Sequence, residues 1–170
     1  NAPLIYAAIS AKCSDDGQLC PSPTLAAWVD PLQLEQRYGR AMPFVVIEKA
    51  TGTIIGATRF LRMNKDALRL EIGATFYAAR TQRTAINSET KLLLLQHAFD
   101  VLNCQCVQIR TDAFNFQSQR AIERLGAKKD VVLRNHAFLK GRLRDLVVYS
   151  ILASEWEGVK RNLQMRLERG

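Results

Sequence analysis

The middle of the chain carries short apolar runs bounded by turn residues, a pattern typical of β-strands. The first three runs are "FVVIEK", "TIIGATRFLR" and "LRLEIGATFYA", at residues 44–49, 53–62 and 68–78. The segments "ATG" and "MNKDA" between them contain Gly, Asn and Asp, which favour tight turns. The pattern therefore predicts three consecutive strands in an antiparallel meander.

Residues 88–102 change to a helical period, with one broad apolar face and one polar face. Asn87 or Ser88 is the predicted cap of this helix, because both side chains can accept a hydrogen bond from the first turn. The predicted apolar face consists of Leu92, Leu94, Leu95, Ala98, Phe99, Val101 and Leu102.

The rest of the chain alternates again between the two patterns. "CVQIRTD" predicts a strand, and "NFQSQRAIERLGA" a helix that ends at Gly126. "VVLRNHAFL" and "LRDLVVYSIL" predict two strands around the turn "KGR", and "SEWEGVKRNLQMRLERG" a polar helix. The order β-β-β-α-β-α-β-β, with a connection long enough for a right-handed parallel crossover, predicts an α+β fold around one mixed, mostly antiparallel sheet.

The first part of the chain has a weaker pattern. It predicts a helix at residues 3–12, a loop "CSDDGQLCPSPT" and a helix "TLAAWVDPLQLEQRYG" that ends at Gly39. The 170 residues are enough for one domain with its own core. We expect a single domain over 1–170, with a helical part at 1–41, the sheet and its site at 42–157, and a tail helix at 158–170.

Composition and charge exclude only a few classes of protein. The chain is 48% hydrophobic and 24% charged, and it has no apolar run long enough for a membrane span. Its net charge of +8 suits an anionic partner, but a solvated basic surface explains it equally simply. Beyond this charge, nothing in the sequence indicates binding to nucleic acid.

The cysteines and histidines do not predict a metal site. Cys104 and Cys106 form a C-x-C pair that we expect to pack in a strand, and neither His97 nor His136 completes a metal-ligand spacing. A disulfide between residues 13 and 20 stays open. With no disulfide framework, the prediction is a reduced, cytoplasmic protein.

Residues 80–87 lie between the carboxyl end of a predicted strand and the amino end of the helix at 88–102. Free backbone N–H groups and the helix dipole favour an anion at such a place. Arg80 and Arg83 add positive charge, and Lys91 lies within the apolar face of the helix. Its side chain leans toward the helix start, so Lys91 either contacts a bound anion or snorkels to solvent.

Three spaced segments carry a family resemblance: "LEIGATFYAARTQRTAINSETKLLLLQHAF", "VQIRTDAFNFQSQRAIERLGA" and "LRDLVVYSI". They resemble the GNAT superfamily of N-acetyltransferases, in the branch of RimJ/RimL-type ribosomal-protein-alanine acetyltransferases, over about residues 42–157. The resemblance implies the GNAT fold, acetyl-coenzyme A as acyl donor and no metal. It also implies that strand 68–78 splays from strand 106–112 to admit the pantetheine arm.

The acetyl-coenzyme A motif of this family is Arg or Gln, two residues, Gly, one residue, then Gly or Ala. Gln82 fits its first position, whereas Ala85 stands where Gly is usual and Asn87 where Gly or Ala is usual. A Cβ at residue 85 would hinder the backbone if that position required a positive φ. The predicted cofactor-binding residues are Phe76, Tyr77, Gln82, Arg83, Thr84, Ala85, Ile86, Asn87, Lys91, Asn115 and Ser118.

Acetyl transfer to an amine requires a base for the amine and an acid for the departing thiolate. Glu71 is the expected base, acting through water as a glutamate on this strand does in many relatives. The alternative is a Glu71 on the solvent face of the strand, paired with Arg59 or Arg69. The resemblance further implies that backbone N–H groups at residues 75–77 polarise the thioester carbonyl.

The sequence leaves several candidates for the acid that protonates the thiolate. Asn115 and Ser118 match the Asn-x-x-Ser element of the family, and Asn115 would bond the pantetheine arm or a water molecule. The family often has a Tyr seven residues after that Asn, where this chain has Ile122. The acid is then Ser118, Tyr77 or water, and Ser118 could equally be a helix cap.

Four basic residues near the last hairpin form a further candidate site. They could line an acceptor groove for an acidic peptide. The simpler alternative is a cross-strand ion pair between Arg144 and Asp145. The four residues are Arg134, His136, Arg142 and Arg144.

The resulting expectation is an N-acetyltransferase that moves acetyl from acetyl-coenzyme A to a primary amine, by direct attack through a tetrahedral intermediate. A protein N-terminus, a small amine and an antibiotic amine stay open as acceptors, and so does another acyl-coenzyme A as donor. The alternative is a non-catalytic basic binding module of the same fold, for RNA, a ribosome or an acidic partner. A homodimer is compatible with the sequence, and no membrane partner is expected.

Overall fold

The structure is a computed structural model that describes residues 34–139 and 141–169. The predicted helix at 3–12, the loop at 13–24, the first part of the helix at 24–39 and the cysteine pair at 13 and 20 lie outside these residues. Residues 34–37 are helical, and Gly39 follows with a φ of 67°. The predicted end of this helix at Gly39 is therefore confirmed.

The order of strands and helices from residue 42 onward agrees with the prediction. The strands lie in a six-stranded mixed sheet with the order β1-β2-β3-β4-β6-β5. The strands are β1 (Met42–Glu48), β2 (Thr53–Asn64), β3 (Arg69–Tyr77), β4 (Cys106–Asp112), β5 (Lys128–Leu139) and β6 (Arg142–Leu152), and the helices are α1 (Ile86–Gln96), α2 (Phe116–Arg124) and α3 (Trp156–Glu168).

The chain divides into two compact units. The first consists of Asn1–Met63 and Gly73–Thr84, and the second of Asn64–Ile72 and Ala85–Gly170. Strand β3 contributes its beginning to the second unit and its end to the first. We describe each unit by itself.

In the first unit, β1 and β2 form an antiparallel pair that runs from Met42 opposite Phe60 to Glu48 opposite Thr53. The ring of Phe44 lies edge-on to the buried ring of Phe60, with centroids 5.0 Å apart. Because alternate residues of these strands share a face, this pair anchors the apolar side of the hairpin.

Gly56 of β2 allows a close approach to the end of β3. A Cβ at residue 56 would lie 2.5 Å from the carbonyl oxygen of Phe76 and 2.8 Å from Cδ1 of Tyr77. Backbone at that distance cannot move without shifting the strand, so only glycine fits. Gly56 therefore fixes where the chain of Phe76 and Tyr77 lies within the first unit.

In the second unit, the beginning of β3 pairs in parallel with β4, with Arg69 opposite Cys106 and Glu71 opposite Gln108. Strand β4 pairs antiparallel with β6 over its whole length, and β6 pairs antiparallel with β5. The predicted parallel crossover from β3 through α1 to β4 is confirmed.

Helix α1 differs from its prediction at both ends. It begins at Ile86 rather than Ser88, and after Gln96 it continues as a wider π-helical turn, His97–Val101. The extra residue in that turn changes which side chains face inward, and Val101 is 61% exposed. The prediction that Val101 belongs to the apolar face is therefore wrong, whereas Leu92, Leu94, Leu95, Ala98 and Phe99 are buried.

Helix α3 packs on the α1 segment through one aromatic pair and one shared carboxylate. The rings of Phe99 and Trp156 stack at 5.2 Å. Asp100 accepts hydrogen bonds from Nε1 of Trp156 at 2.6 Å and from Nζ of Lys160 at 2.7 Å. These contacts hold the C-terminal end of the α1 segment in the second unit.

Candidate active site

The start of α1 lacks the side-chain cap that the sequence predicts. Ala85 precedes the helix, and its side chain makes no capping hydrogen bond. The predicted caps Asn87 and Ser88 are already inside the helix, because it begins at Ile86. N–H groups at a helix start, together with the helix dipole, suit an anion.

Ala85 does not have the conformation that would demand glycine. Its φ is −64°, in the helical region that any residue adopts. The hindrance was expected only if residue 85 had a positive φ. Because its φ is negative, the Cβ of Ala85 causes no backbone strain. The residues at the start of α1 fit a bound pyrophosphate on this criterion.

Lys91 lies in the second turn of α1 and is only 5% exposed. Burial lowers the pKa of its ammonium group from 10.5 to about 7. The alternative in which Lys91 snorkels to solvent is wrong, because almost none of the residue reaches the surface. A buried cation one turn from an uncapped helix start is a candidate partner for an anion.

The loop residues before the helix belong to the first unit. Arg83 has a φ of 63°, so the left-handed conformation of this motif falls on an arginine rather than on residue 85. Thr84 Oγ1 donates to the carbonyl of Thr81 at 2.7 Å, and Gln82 Nε2 lies 3.4 Å from the carbonyl of Tyr77. These bonds brace the loop, and the binding role of its side chains stays a prediction.

Arg80 is less available to a ligand than the sequence suggests. Its Nη1 lies 3.4 Å from Oε2 of Glu48, in an ion pair within the first unit. The hydroxyl of Thr51 also donates to this carboxylate at 2.6 Å. The hydroxyl of Thr51 and the charge of Arg80 keep the pKa of Glu48 below its usual value.

Phe76 and Tyr77 end β3, five and six residues after Glu71. Both are half-buried, and Ala74 just before them has a φ of 47°, which is rare for a residue with a Cβ. The chain at this point is therefore held in a strained conformation within the strand. The role of Phe76 and Tyr77 in binding the acyl donor stays a prediction, as does the splay of β3.

Glu71 is buried in the second unit, at 4% exposure. Its Oε2 lies 3.0 Å from Nε of Arg110 on β4. The alternative of a solvent-facing Glu71 is therefore wrong, and Arg69 donates a hydrogen bond to Oε1 of Gln108 at 2.6 Å. The sequence analysis missed Arg110, although the predicted parallel pairing of the two strands places both residues on one face of the sheet.

Helix α2 begins with a side-chain cap. Asn115 Oδ1 accepts a hydrogen bond from the backbone N–H of Ser118 at 3.0 Å. The alternative in which Ser118 is the cap is wrong, because Asn115 occupies that position. Ile122 is buried, so its position belongs to the core of the second unit.

The basic residues near the last hairpin surround a carboxylate that the sequence analysis missed. Oδ2 of Asp112 pairs with Nη2 of Arg142 at 2.7 Å and with Nε of Arg144. The backbone N–H of Phe114, then Arg144 and Arg142, hold the pKa of Asp112 below its usual value. The predicted pair of Arg144 with Asp145 is wrong.

Asp145 instead accepts a hydrogen bond from the backbone N–H of Asn135 at 2.7 Å. Arg134 and His136, the other two residues of the predicted groove, are exposed on β5. Two of the four predicted basic residues, Arg142 and Arg144, are thus paired with the one carboxylate of Asp112. An acidic-peptide groove along this hairpin stays a prediction.

Tyr149 is a second buried polar residue that the sequence analysis did not single out. Its hydroxyl donates to Oε1 of Glu123 at 3.0 Å and lies 3.2 Å from Oε1 of Gln119, both on α2. Burial and the neighbouring Glu123 raise the pKa of Tyr149 to about 12. So weak an acid ties α2 to β6 rather than protonating a thiolate.

Within residues 34–139 and 141–169, no group of three His, Cys, Asp or Glu side chains could hold a metal ion. The helices in that same part of the chain are too short or too polar to span a membrane.

Comparisons with known proteins agree with this geometry. The family profile described as Acetyltransferase (GNAT) domain matches residues 18–128. The N-acetyltransferase p20 of Bacillus licheniformis is 28% identical over 130 residues, which are 76% of this chain and 71% of p20. YdaF of Bacillus subtilis (strain 168), named as a candidate ribosomal N-acetyltransferase, is 28% identical over 109 residues, 64% of this chain and 59% of YdaF.

A solved structure gives the same result. The GCN5-related N-acetyltransferase from Brucella melitensis superposes with a TM-score of 0.78 at 27% identity, covering 97% of this chain and 76% of its own. The profile match spans well over half of the chain, and the mixed six-stranded sheet and its helices match a solved member. The chain belongs to the GNAT family of acetyltransferases, which use acetyl-coenzyme A.

Proposed function

We propose that this chain transfers the acetyl group of acetyl-coenzyme A to a primary amine. The observation that carries the proposal is the start of α1, which has no side-chain cap and lies one turn from the buried Lys91. Backbone N–H groups of residues 85–87 would hold the pyrophosphate, with Lys91 adding charge. Asn115 would bond the pantetheine arm through its side-chain amide.

The chemistry that acetyl-coenzyme A supplies is a thioester carbonyl that an amine nitrogen can attack. Glu71, acting through water, takes the proton that the amine must lose, as the new C–N bond forms. The C–S bond then breaks, and Ser118 or a water molecule returns a proton to the departing thiolate.

The name of YdaF supports a narrower proposal, in which the chain is of the RimJ/RimL type and acts on the N-terminus of a protein. The shared segment covers 59% of YdaF, so the acceptor does not follow from the likeness. A small amine is the second acceptor class. We further propose a single domain that acts in the cytoplasm and that is compatible with a homodimer.

The test combines binding and turnover. Acetyl-coenzyme A should raise the melting temperature, because it binds only the folded state. A peptide that begins with alanine and a small primary amine are then compared as acceptors, with release of the free thiol as the signal. Release that depends on one of these acceptors supports the proposal and identifies the acceptor class.

The alternative function is that of a non-catalytic basic module that binds RNA, a ribosome or an acidic partner. It was motivated by Arg83, Ala85 and Ile122 at motif positions and by the charge of +8. The ordinary φ of Ala85 weakens that motivation, because residue 85 needs no glycine. An unchanged melting temperature at millimolar acetyl-coenzyme A would favour the binding module.

A further inference from the structure

Glu71 and Arg110 form an ion pair that is almost closed off from water. The side chain of Glu71 is 6% exposed and that of Arg110 is 17% exposed, with 3.0 Å between Oε2 and Nε. Taking two charges out of water costs more than an ordinary surface pair returns. A pair in this position therefore suggests a role besides stability.

Gln108 fixes the other side of the guanidinium group. Its Oε1 accepts a hydrogen bond from Nη2 of Arg110 at 3.3 Å and one from Nη2 of Arg69 at 2.6 Å. Gln108 is also the residue directly opposite Glu71 in the parallel register. Arg110 thus lies between Glu71, in ionic contact with its Nε, and Gln108, hydrogen-bonded to its Nη2.

We propose that Arg110 is a positioning residue for acetyl transfer, which holds the carboxylate of Glu71 in place. This inference rests on the proposed function, in which Glu71 is the base. Arg110 itself neither gains nor loses a proton in the reaction. The proton leaves the amine, passes through water to Glu71, and is released as the next cycle begins.

The physical reason is the cost of a buried carboxylate. Without a nearby positive charge, burial favours the protonated form, and a protonated Glu71 cannot accept a proton. The charged or titratable groups on this face in the second unit include Arg69, Cys106 and Asp112 with its partners Arg142 and Arg144. Across the sheet they include Asp130, which accepts a hydrogen bond from Ser150. Arg110 is in direct ionic contact with Glu71.

The experiment compares four variants of the full chain with the parent. Arg110→Met removes the charge, and Arg110→Lys keeps the charge but cannot reach both Glu71 and Gln108 as a planar fork does. Arg161→Met removes one exposed positive charge from α3 and serves as the matched control. Glu71→Gln removes the base. The acceptors are a peptide that begins with alanine and a small primary amine.

Two readouts are measured for each variant. The first is the pH profile of kcat/KM with acetyl-coenzyme A as donor. The second is the titration of the Glu71 carboxyl carbon by NMR, which does not depend on the acceptor. In Arg110→Met we expect both to move to higher pH by about one unit or more, with kcat reduced at least about tenfold at neutral pH.

Arg110→Lys should restore the pH profile toward the parent while kcat stays reduced and the KM for acetyl-coenzyme A stays unchanged. It also keeps the proposal testable if Arg110→Met does not fold. Arg161→Met should match the parent in both readouts. Unchanged profiles in both Arg110 variants, with Glu71→Gln inactive, would overturn the role of Arg110 while leaving the proposed function intact.

The failure of the proposed function has a different signature. If Glu71→Gln keeps the parent's rate and pH profile, Glu71 is not the base and Arg110 cannot position it. A shift of the NMR titration in Arg110→Met alone would then identify the pair as purely structural.

Discussion

Helices α1 and α2 of the second unit begin in opposite ways. Asn115 caps α2 by accepting the backbone N–H of Ser118, whereas no side chain caps α1 at Ala85. The two helices also differ inside, because α1 buries a lysine, Lys91, and α2 buries an isoleucine, Ile122. A helix start capped by its own side chain and one preceded by an alanine, with a lysine buried in the next turn, differ in how well they suit an anion.

The largest expected effect tests the buried cation of α1. Lys91→Met keeps the length and apolar fit of the side chain and removes a buried charge, so it should raise the free energy of unfolding without ligand at pH 7. It should also weaken acetyl-coenzyme A by about 1–2 kcal/mol, the scale of a hydrogen bond to a charged group. Urea unfolding and titration calorimetry measure the two effects.

The lowered pKa of Lys91 determines how the effect of Lys91→Met on stability varies with pH. The pKa of Lys91 is lowered to about 7 in the folded state, so the folded chain binds fewer protons than the unfolded chain between pH 7 and 10.5. The cost of burying Lys91 is fully present below pH 7 and is lost as the pH rises to 10.5. The gain from Lys91→Met should shrink across that window.

Lys129→Met, at an exposed lysine of β5, is the matched control and should show neither effect. The loss of affinity in Lys91→Met should be the same for dephospho-coenzyme A, because the 3′-phosphate is not the group that Lys91 would contact. An unchanged affinity in Lys91→Met would remove Lys91 from the binding site.

The effect of intermediate size concerns Asn115, which caps α2 and is also proposed to bond the pantetheine arm. Asn115→Ala should lower the free energy of unfolding by about 1 kcal/mol, because α2 loses its cap. Asn115→Asp keeps a capping oxygen but removes the side-chain N–H donor. If Asn115 bonds the pantetheine arm, Asn115→Asp should keep the stability and weaken acetyl-coenzyme A; equal affinity in both proteins would limit Asn115 to capping.

The smallest expected effect concerns the motif before α1. Arg83 has a positive φ and Ala85 does not. Arg83→Gly should therefore raise the free energy of unfolding by about 0.5 kcal/mol, through relief of the left-handed strain, while Ala85→Gly should lower it by roughly 0.5–1 kcal/mol. Thermal unfolding without ligand measures both, and a gain in Ala85→Gly would contradict the observed backbone.

Periodicity predicted most of the fold because it reports which face of an element is buried. Strand β4 has its predicted bounds, Cys106–Asp112, and the parallel crossover before it is present. Val101 could not be assigned correctly, because a π-helical turn changes the period without a signal in the residue pattern. The start of α1 was misplaced for a related reason: a helix without a cap residue has no sequence mark of its first turn.

The sequence indicates which residue types form the candidate site and where they lie along the chain. It does not indicate which of these side chains contact one another. Glu71 was identified from its strand, whereas its pairing with Arg110 depends on the register of two parallel strands. Asp112, which binds Arg142 and Arg144, was missed for the same reason. Backbone angles could not be predicted either, since the sequence does not show that the positive φ falls on Arg83.

The most direct measurement follows the backbone amides of both helix starts by NMR while acetyl-coenzyme A is added. If the open start of α1 binds the pyrophosphate, the amide signals of residues 86–88 should shift strongly at the same ligand concentration that raises the melting temperature. The signals of residues 116 and 117 on α2, which is already capped, should shift much less. Large shifts at α2 with unchanged signals at 86–88 would contradict the assignment of the pyrophosphate to α1.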